Sequence, residues 1–372
     1  MDLFDLTTFL YRPLDFPLVL TPVAFIFGAI VGSLLNVCIL RIPVEKSIFW
    51  PGSHCGSCLK PVRWFDNVPI LSYWRLGGRC RHCGAEFAVR YFWIELGTAV
   101  LFAVVLYWDL TLPDRVRASL PPGAEMTPVH KPGLLLLWLF HVTLLSFLIV
   151  ASFIDLDHHE IPLRVTIPGT IIGLLFAPWV GYPWPLTGTL PDQPVFGGMN
   201  LPEFVALQPA AHFWPYWAPP PAFTPYGSVW MGIVTAVVGA LVGTGLVRAI
   251  RGIFSWAFGK EAMGLGDADL LMMIGAFLGW QVVFLSFGWG VVLLGGYALI
   301  FGFIFRVGRE LPFGPALALG AVLTVWAPVP VALLAQRYLF DGMLLVVLGV
   351  LAGVLALIMA FLIRMLRLVR QA

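Results

Sequence analysis

Residues 264–280 read GLGDADLLMMIGAFLGW. The stretch from Leu270 to Trp280 is apolar, yet Asp267 stands at its threshold in a chain that is 59% hydrophobic and only 11% charged. A carboxylate at or inside a bilayer is costly, so it faces a cavity, has a partner and marks a functional site. A second candidate, Asp155, ends the apolar run before Asp157. Two such acids point to paired acid/base chemistry at a membrane.

Working outward, the 372 residues carry repeated apolar runs of spanning length, and the mean hydropathy is +0.90. About 20 apolar residues suffice for a helix to cross the hydrocarbon. The expected fold is therefore all-α and polytopic, with eight to nine transmembrane helices at 17–40, 91–108, 134–154, 163–181, 228–247, 268–280, 282–305, 313–334 and 342–363. The sixth run is short for a span. In the first, Gly28, Gly32 and Ser33 permit close helix packing. No internal repeat is visible.

Basic residues are retained on the cytoplasmic side of short loops. With the N-terminus outside, 17 of the 22 lysines and arginines fall inward, eight of them between Arg41 and Arg90. The expected organisation is a first membrane helix at 1–40, a cytoplasmic loop at 41–90, a membrane core carrying both aspartates at 91–340, and a further helix with a basic tail at 341–372. Within the core, the Pro- and Trp-rich segment 182–227 is read as an outer-face insertion. A net charge of +2 gives no reason to expect nucleic acid.

Cys55-x2-Cys58 and Cys80-x2-Cys83 flank a 21-residue spacer in the basic loop. Four thiolates on two tight turns satisfy a tetrahedral Zn²⁺ and leave no position open for water, so the expected metal is structural. A cytoplasmic loop favours zinc over disulfides. His54 and His82 adjoin the pairs as lesser candidates, and Cys38 is expected to be a buried apolar side chain.

Asp155 and Asp267 share one membrane face in this topology. Converging there, two carboxylates share a proton; one deprotonates water while the other polarises a carbonyl, which is the division of labour peptide hydrolysis needs. Against this stands helix capping by Asp267, since Asp favours N-cap positions. Asp269 is read as capping or solvated. Asp157, His158, His159 and Glu160 read as a solvated turn, although spacing leaves Asp157 open as an alternative to Asp155.

Five blocks in order resemble the type IV prepilin peptidases, membrane aspartic proteases of the G-x-G-D class. They are Phe27-Gly28 with Gly32 to Val37 and Arg41-Ile42-Pro43; the cysteine loop with Asp66-Asn67-Val68-Pro69 and Gly78-Arg79-Cys80-Arg81; Asp155 seven residues before Pro162; Gly264 to Asp267 with Ile274 to Trp280; and Pro312-Phe313-Gly314-Pro315. The resemblance makes Asp155 and Asp267 the catalytic pair. It implies pilin or pseudopilin precursors as substrates, cut after a glycine that follows a basic leader, at the cytoplasmic face of a bacterial inner membrane. It also implies N-methylation of the new terminus with S-adenosylmethionine, for which the sequence offers no nucleotide-binding fingerprint. Proton-coupled transport is the main alternative for membrane aspartates, and a zinc-bearing membrane scaffold is another.

Overall fold

The computed structural model describes residues 15–111, 131–180, 229–259, 261, 263–297, 299–300, 312–326 and 342–371. The insertion expected at 182–227 lies outside them. Among the described residues the chain is helical, without strands: α1 (Asp15–Arg41), α2 (Leu71–Leu76), α3 (Arg90–Leu110), α4 (Lys131–His158), α5 (Leu163–Val180), α6 (Val229–Phe258), α7 (Leu265–Leu278), α8 (Trp280–Tyr297), α9 (Phe313–Val325) and α10 (Gly342–Gln371). Each predicted span therefore contains a helix. Stretches of α1, α3, α4 and α6 are long and apolar enough to cross a bilayer. This is a membrane protein.

The chain divides into two compact units, Met1–Leu112 with His130–Ile154, and Pro113–Val129 with Asp155–Ala372. In the first, α1 packs on α3 through glycines. A Cβ on Gly28 would lie 2.8 Å from the Ala99 Cα, and one on Gly32 2.8 Å from the Glu95 Cα. Such small residues let helix backbones close where the hydrophobic effect contributes little. The seam ends where the Asn36 side-chain amide donates to the Tyr91 carbonyl at 3.1 Å. Nearer the other end of α3, His141 of α4 meets Asp109 at 2.8 Å, both fully buried.

The second unit is centred on α7. At 14 residues it is about 21 Å long, against roughly 30 Å of hydrocarbon. Its shortness is explained by its surroundings: Leu270, Leu271, Met273, Ile274, Phe277 and Leu278 are fully buried. A helix apolar on all sides is one enclosed by protein. Gly239 of α6 faces Gly275 of α7, so that a Cβ on either would overlap the other's carbonyl, and Gly243 does the same over Leu271. Gly279, at φ +81°, ends α7 before the predicted limit at Trp280, which begins the next helix.

One boundary moved. The fifth span, expected to stop at 247, continues as helix to Phe258. Arg248 and Arg251 made that stretch read as loop, but their charges are met by Asp269 at 3.4 Å and Glu261 at 2.7 Å.

Candidate active site

Asp155 lies in the last turn of α4, buried, with Asp157 to Glu160 exposed just beyond it. Burial thus distinguishes Asp155 from Asp157. Its Oδ2 accepts the backbone N–H of Gly314 at 3.0 Å. Gly314 stands in the first turn of α9, where amide donors are free and the helix dipole is positive. A Cβ there would sit 2.5 Å from that carboxylate oxygen and 2.8 Å from the Ile161 Cδ1, so any other residue at this position displaces those side chains.

Asp267 is half-buried in the first turn of α7. It is not the cap. Gly264 occupies the N-cap position and Asp267 is the third helical residue, which removes capping as the explanation. A Cβ on Gly266 would lie 2.9 Å from the Ile161 Cβ. Ile161 therefore fills the space between the residue preceding Asp267 and the residue that donates to Asp155. Gly266 and Gly314 thus both pack on Ile161, the one next to Asp267 and the other donating to Asp155. Sequence reasoning passed over Ile161 as a contact, although the Ile161-Pro162 pair was its visible signal.

Asp269 departs from expectation. It is buried, not capping or solvated, because Arg248 of α6 reaches it at 3.4 Å. Asp267 and Asp269 are two apart and so leave the helix in different directions; only the second is tied to Arg248 of α6.

The four cysteines meet as expected. Cys55, Cys58, Cys80 and Cys83 place all their sulfurs within 4.8 Å of one another, with Cys55 to Cys83 at 3.7 Å and Cys58 to Cys80 at 4.0 Å. A tetrahedron with metal–sulfur bonds of about 2.3 Å has sulfur–sulfur edges of about 3.8 Å, so this set fits a four-thiolate metal. The N–H groups of Cys58 and Ser57 bring the Cys55 thiol down to about 6, toward the thiolate a metal needs. Neither His54 nor His82 belongs to the cluster, and Cys38 is half-buried.

The two knuckles share one backbone frame that the sequence did not advertise. The first cysteine of each donates to the carbonyl five residues on (Cys55 to Lys60, 3.0 Å; Cys80 to Ala85, 2.8 Å) and accepts from the amide four residues on (Leu59, 2.9 Å; Gly84, 2.9 Å). Val62 to Ser53 and Phe87 to Gly78 complete the match. Leu59 and Gly84 both take positive φ, +59° and +71°. A buried carboxylate, also missed, ties the spacer to the second knuckle: Asp66 receives Arg75 at 2.6 Å and a two-pronged Arg81 at 2.6 and 2.7 Å. Hydrogen bonding from Arg81, then Arg75, holds its carboxyl down to about 2.

A small depression opens beside the cysteines, its walls including Val62, Arg63, Asp66, Arg81 and Phe87. It does not fit S-adenosylmethionine. Ribose hydroxyls call for a free acid, and Asp66 is already saturated by two guanidinium groups.

Comparison with known proteins finds two matching segments. Residues 26–109 match the bacterial peptidase A24 N-terminal domain, and residues 142–207 match the type IV leader peptidase family. Two segments of the chain thus resemble that family. Asp155 falls inside the second matched segment and Asp267 outside it. Similar proteins include a prepilin leader peptidase/N-methyltransferase of Myxococcus xanthus, 31% identical over 70% of this chain and 56% of the relative. The chain thus spans little more than half of that protein's length. A protein of the same description from Pseudomonas putida is 28% identical over 82% of this chain and 89% of its own. A type 4 prepilin-like proteins leader peptide-processing enzyme of Escherichia coli is 29% identical over 84% and 96%. No solved structure matches.

Proposed function

We propose that this chain is a membrane-embedded aspartic endopeptidase that removes the basic leader from type IV prepilin or pseudopilin precursors after glycine, at the cytoplasmic face of a bacterial inner membrane. The observation that carries the reading is the convergence of two helix starts on Ile161: Gly266, the residue before Asp267, packs on it, and so does Gly314, whose amide holds Asp155. Descriptions of the relatives support the substrate class. The skew of basic residues toward one set of loops supports the orientation.

In this mechanism Asp155 is the carboxylate, because a donor at a helix N-terminus favours the charged form. It takes a proton from water as the water oxygen attacks the scissile carbonyl carbon. Asp267 carries the shared proton and donates a hydrogen bond to the carbonyl oxygen. Asp155 then passes its proton to the departing amine nitrogen, and the C–N bond breaks. Ile161 and Gly314 exclude bulk water from one side of the pair.

Cys55, Cys58, Cys80 and Cys83 would hold Zn²⁺ as a structural ion that fixes the loop. N-methylation of the new terminus with S-adenosylmethionine is a second activity, supported by the relatives' descriptions alone. Incubating the purified chain with a pilin-like precursor, with and without S-adenosylmethionine, tests both by mass. Loss of the leader at glycine supports the peptidase, and an added methyl mass on the mature terminus supports the transferase. An intact precursor overturns the first; an unmodified product overturns the second.

A further inference from the structure

We propose that the four-cysteine loop rests on the bilayer through two aromatic feet, α2 and the segment 47–52, whose partner is the anionic headgroup and upper acyl region of the lipid. Both feet are tied to the ends of membrane-spanning helices. The N–H of Ile70, which caps α2, donates to Glu95 Oε2 at 2.7 Å. Glu95 lies five residues inside the span that starts at Arg90, about 7.5 Å along the helix axis. The hydrogen bond therefore holds α2 against the first turns of that span, where it meets the membrane surface.

The side chains suit that depth. Leu71 and Trp74, three apart and so on one face, are 66% and 73% exposed, while Ser72 behind them is buried. Trp74 meets Phe92 edge-on at 5.9 Å, and Phe92 meets Trp93 at 5.3 Å, so the patch runs without a break into the first turn of α3. At the other end of the loop, Arg41 closes α1 by donating to the carbonyls of Ser47, Ile48 and Gly52 at 3.0, 3.3 and 3.3 Å. That clasp presents Phe49 and Trp50, 89% and 79% exposed. Tryptophan and phenylalanine favour the membrane interface. Between 41 and 90 there are eight basic and three acidic residues, the balance that anionic lipid attracts.

The test needs no enzymatic turnover, so its failure is distinct from failure of the peptidase reading. The full chain is reconstituted into bilayers of phosphatidylcholine and phosphatidylglycerol, with or without bromine near the top of the acyl chains. Emission of one tryptophan is taken as the parent minus Trp74→Phe, and independently as the parent minus Trp50→Phe, each variant checked for unchanged metal content. The expected result is loss of about half or more of each difference signal on brominated lipid, with little quenching by aqueous iodide. Quenching by iodide but not by bromine would overturn the proposal by placing the loop in water. Shielding from both would overturn it too, showing that protein, such as a second copy, covers the patch.

Discussion

Asp155 Oδ2 and the Gly314 amide lie 3.0 Å apart, so the last turn of α4 and the first turn of α9 are joined through the carboxylate itself. A methyl group on Gly314 would land on that oxygen. Gly314→Ala is expected to displace Asp155 by about an ångström, and displacements of this size lower turnover by roughly a hundredfold. Leader cleavage should fall accordingly while far-UV circular dichroism is retained; a variant cleaving at the parental rate contradicts the arrangement.

The α6–α7 seam predicts a stability effect distant from the carboxylates. Because Gly239 and Gly275 face each other's carbonyls, Gly275→Leu forces the two helices apart. Overpacking of this kind costs about 1–3 kcal/mol. Thermal unfolding in detergent should show a lowered midpoint for Gly275→Leu. Gly288→Ala, where the added Cβ meets nothing, should leave it near the parent.

Leu59 and Gly84 occupy the same position in matching knuckles, both at positive φ. Only one is the residue that conformation favours. Leu59→Gly relieves left-handed strain of about 1 kcal/mol, which should tighten metal retention roughly fivefold in chelator competition. Removing a ligand does the opposite: Cys58→Ser should release the metal and open the loop to protease.

Asp66 supplies a pH dependence whose sign follows from its depressed value of about 2. An open-chain aspartate titrates near 3.9. The contribution of Asp66 is therefore complete above that value and is lost only as pH falls toward about 2. Asp66→Asn should make the loop more protease-sensitive at neutral pH and still at pH of about 4. Equal digestion of parent and variant across that range contradicts the clamp.

Much of this was legible before the fold. Apolar run length located a helix in each predicted span, and the cysteine spacing located the cluster, because both signals are local. What escaped was set by tertiary partners. The charges of Arg248 and Arg251 hid the end of α6, since nothing in their own segment announces Asp269 or Glu261 as counter-ions. Asp269 read as solvated for the same reason. The repeated knuckle frame escaped because it resides in backbone hydrogen bonds, and Leu59 and Gly84 look unrelated as letters. Gly314 stood inside a quoted motif, yet its role as donor to a residue on another helix required the fold.

The most direct measurement of the central claim is leader removal from a pilin-like precursor by the parent, Asp155→Asn, Asp267→Asn and Asp157→Asn in matched bilayers. Loss of cleavage in the first two variants, with the exposed Asp157→Asn still active, is the result predicted for a dyad of Asp155 and Asp267. Normal cleavage by either Asp155→Asn or Asp267→Asn would contradict it.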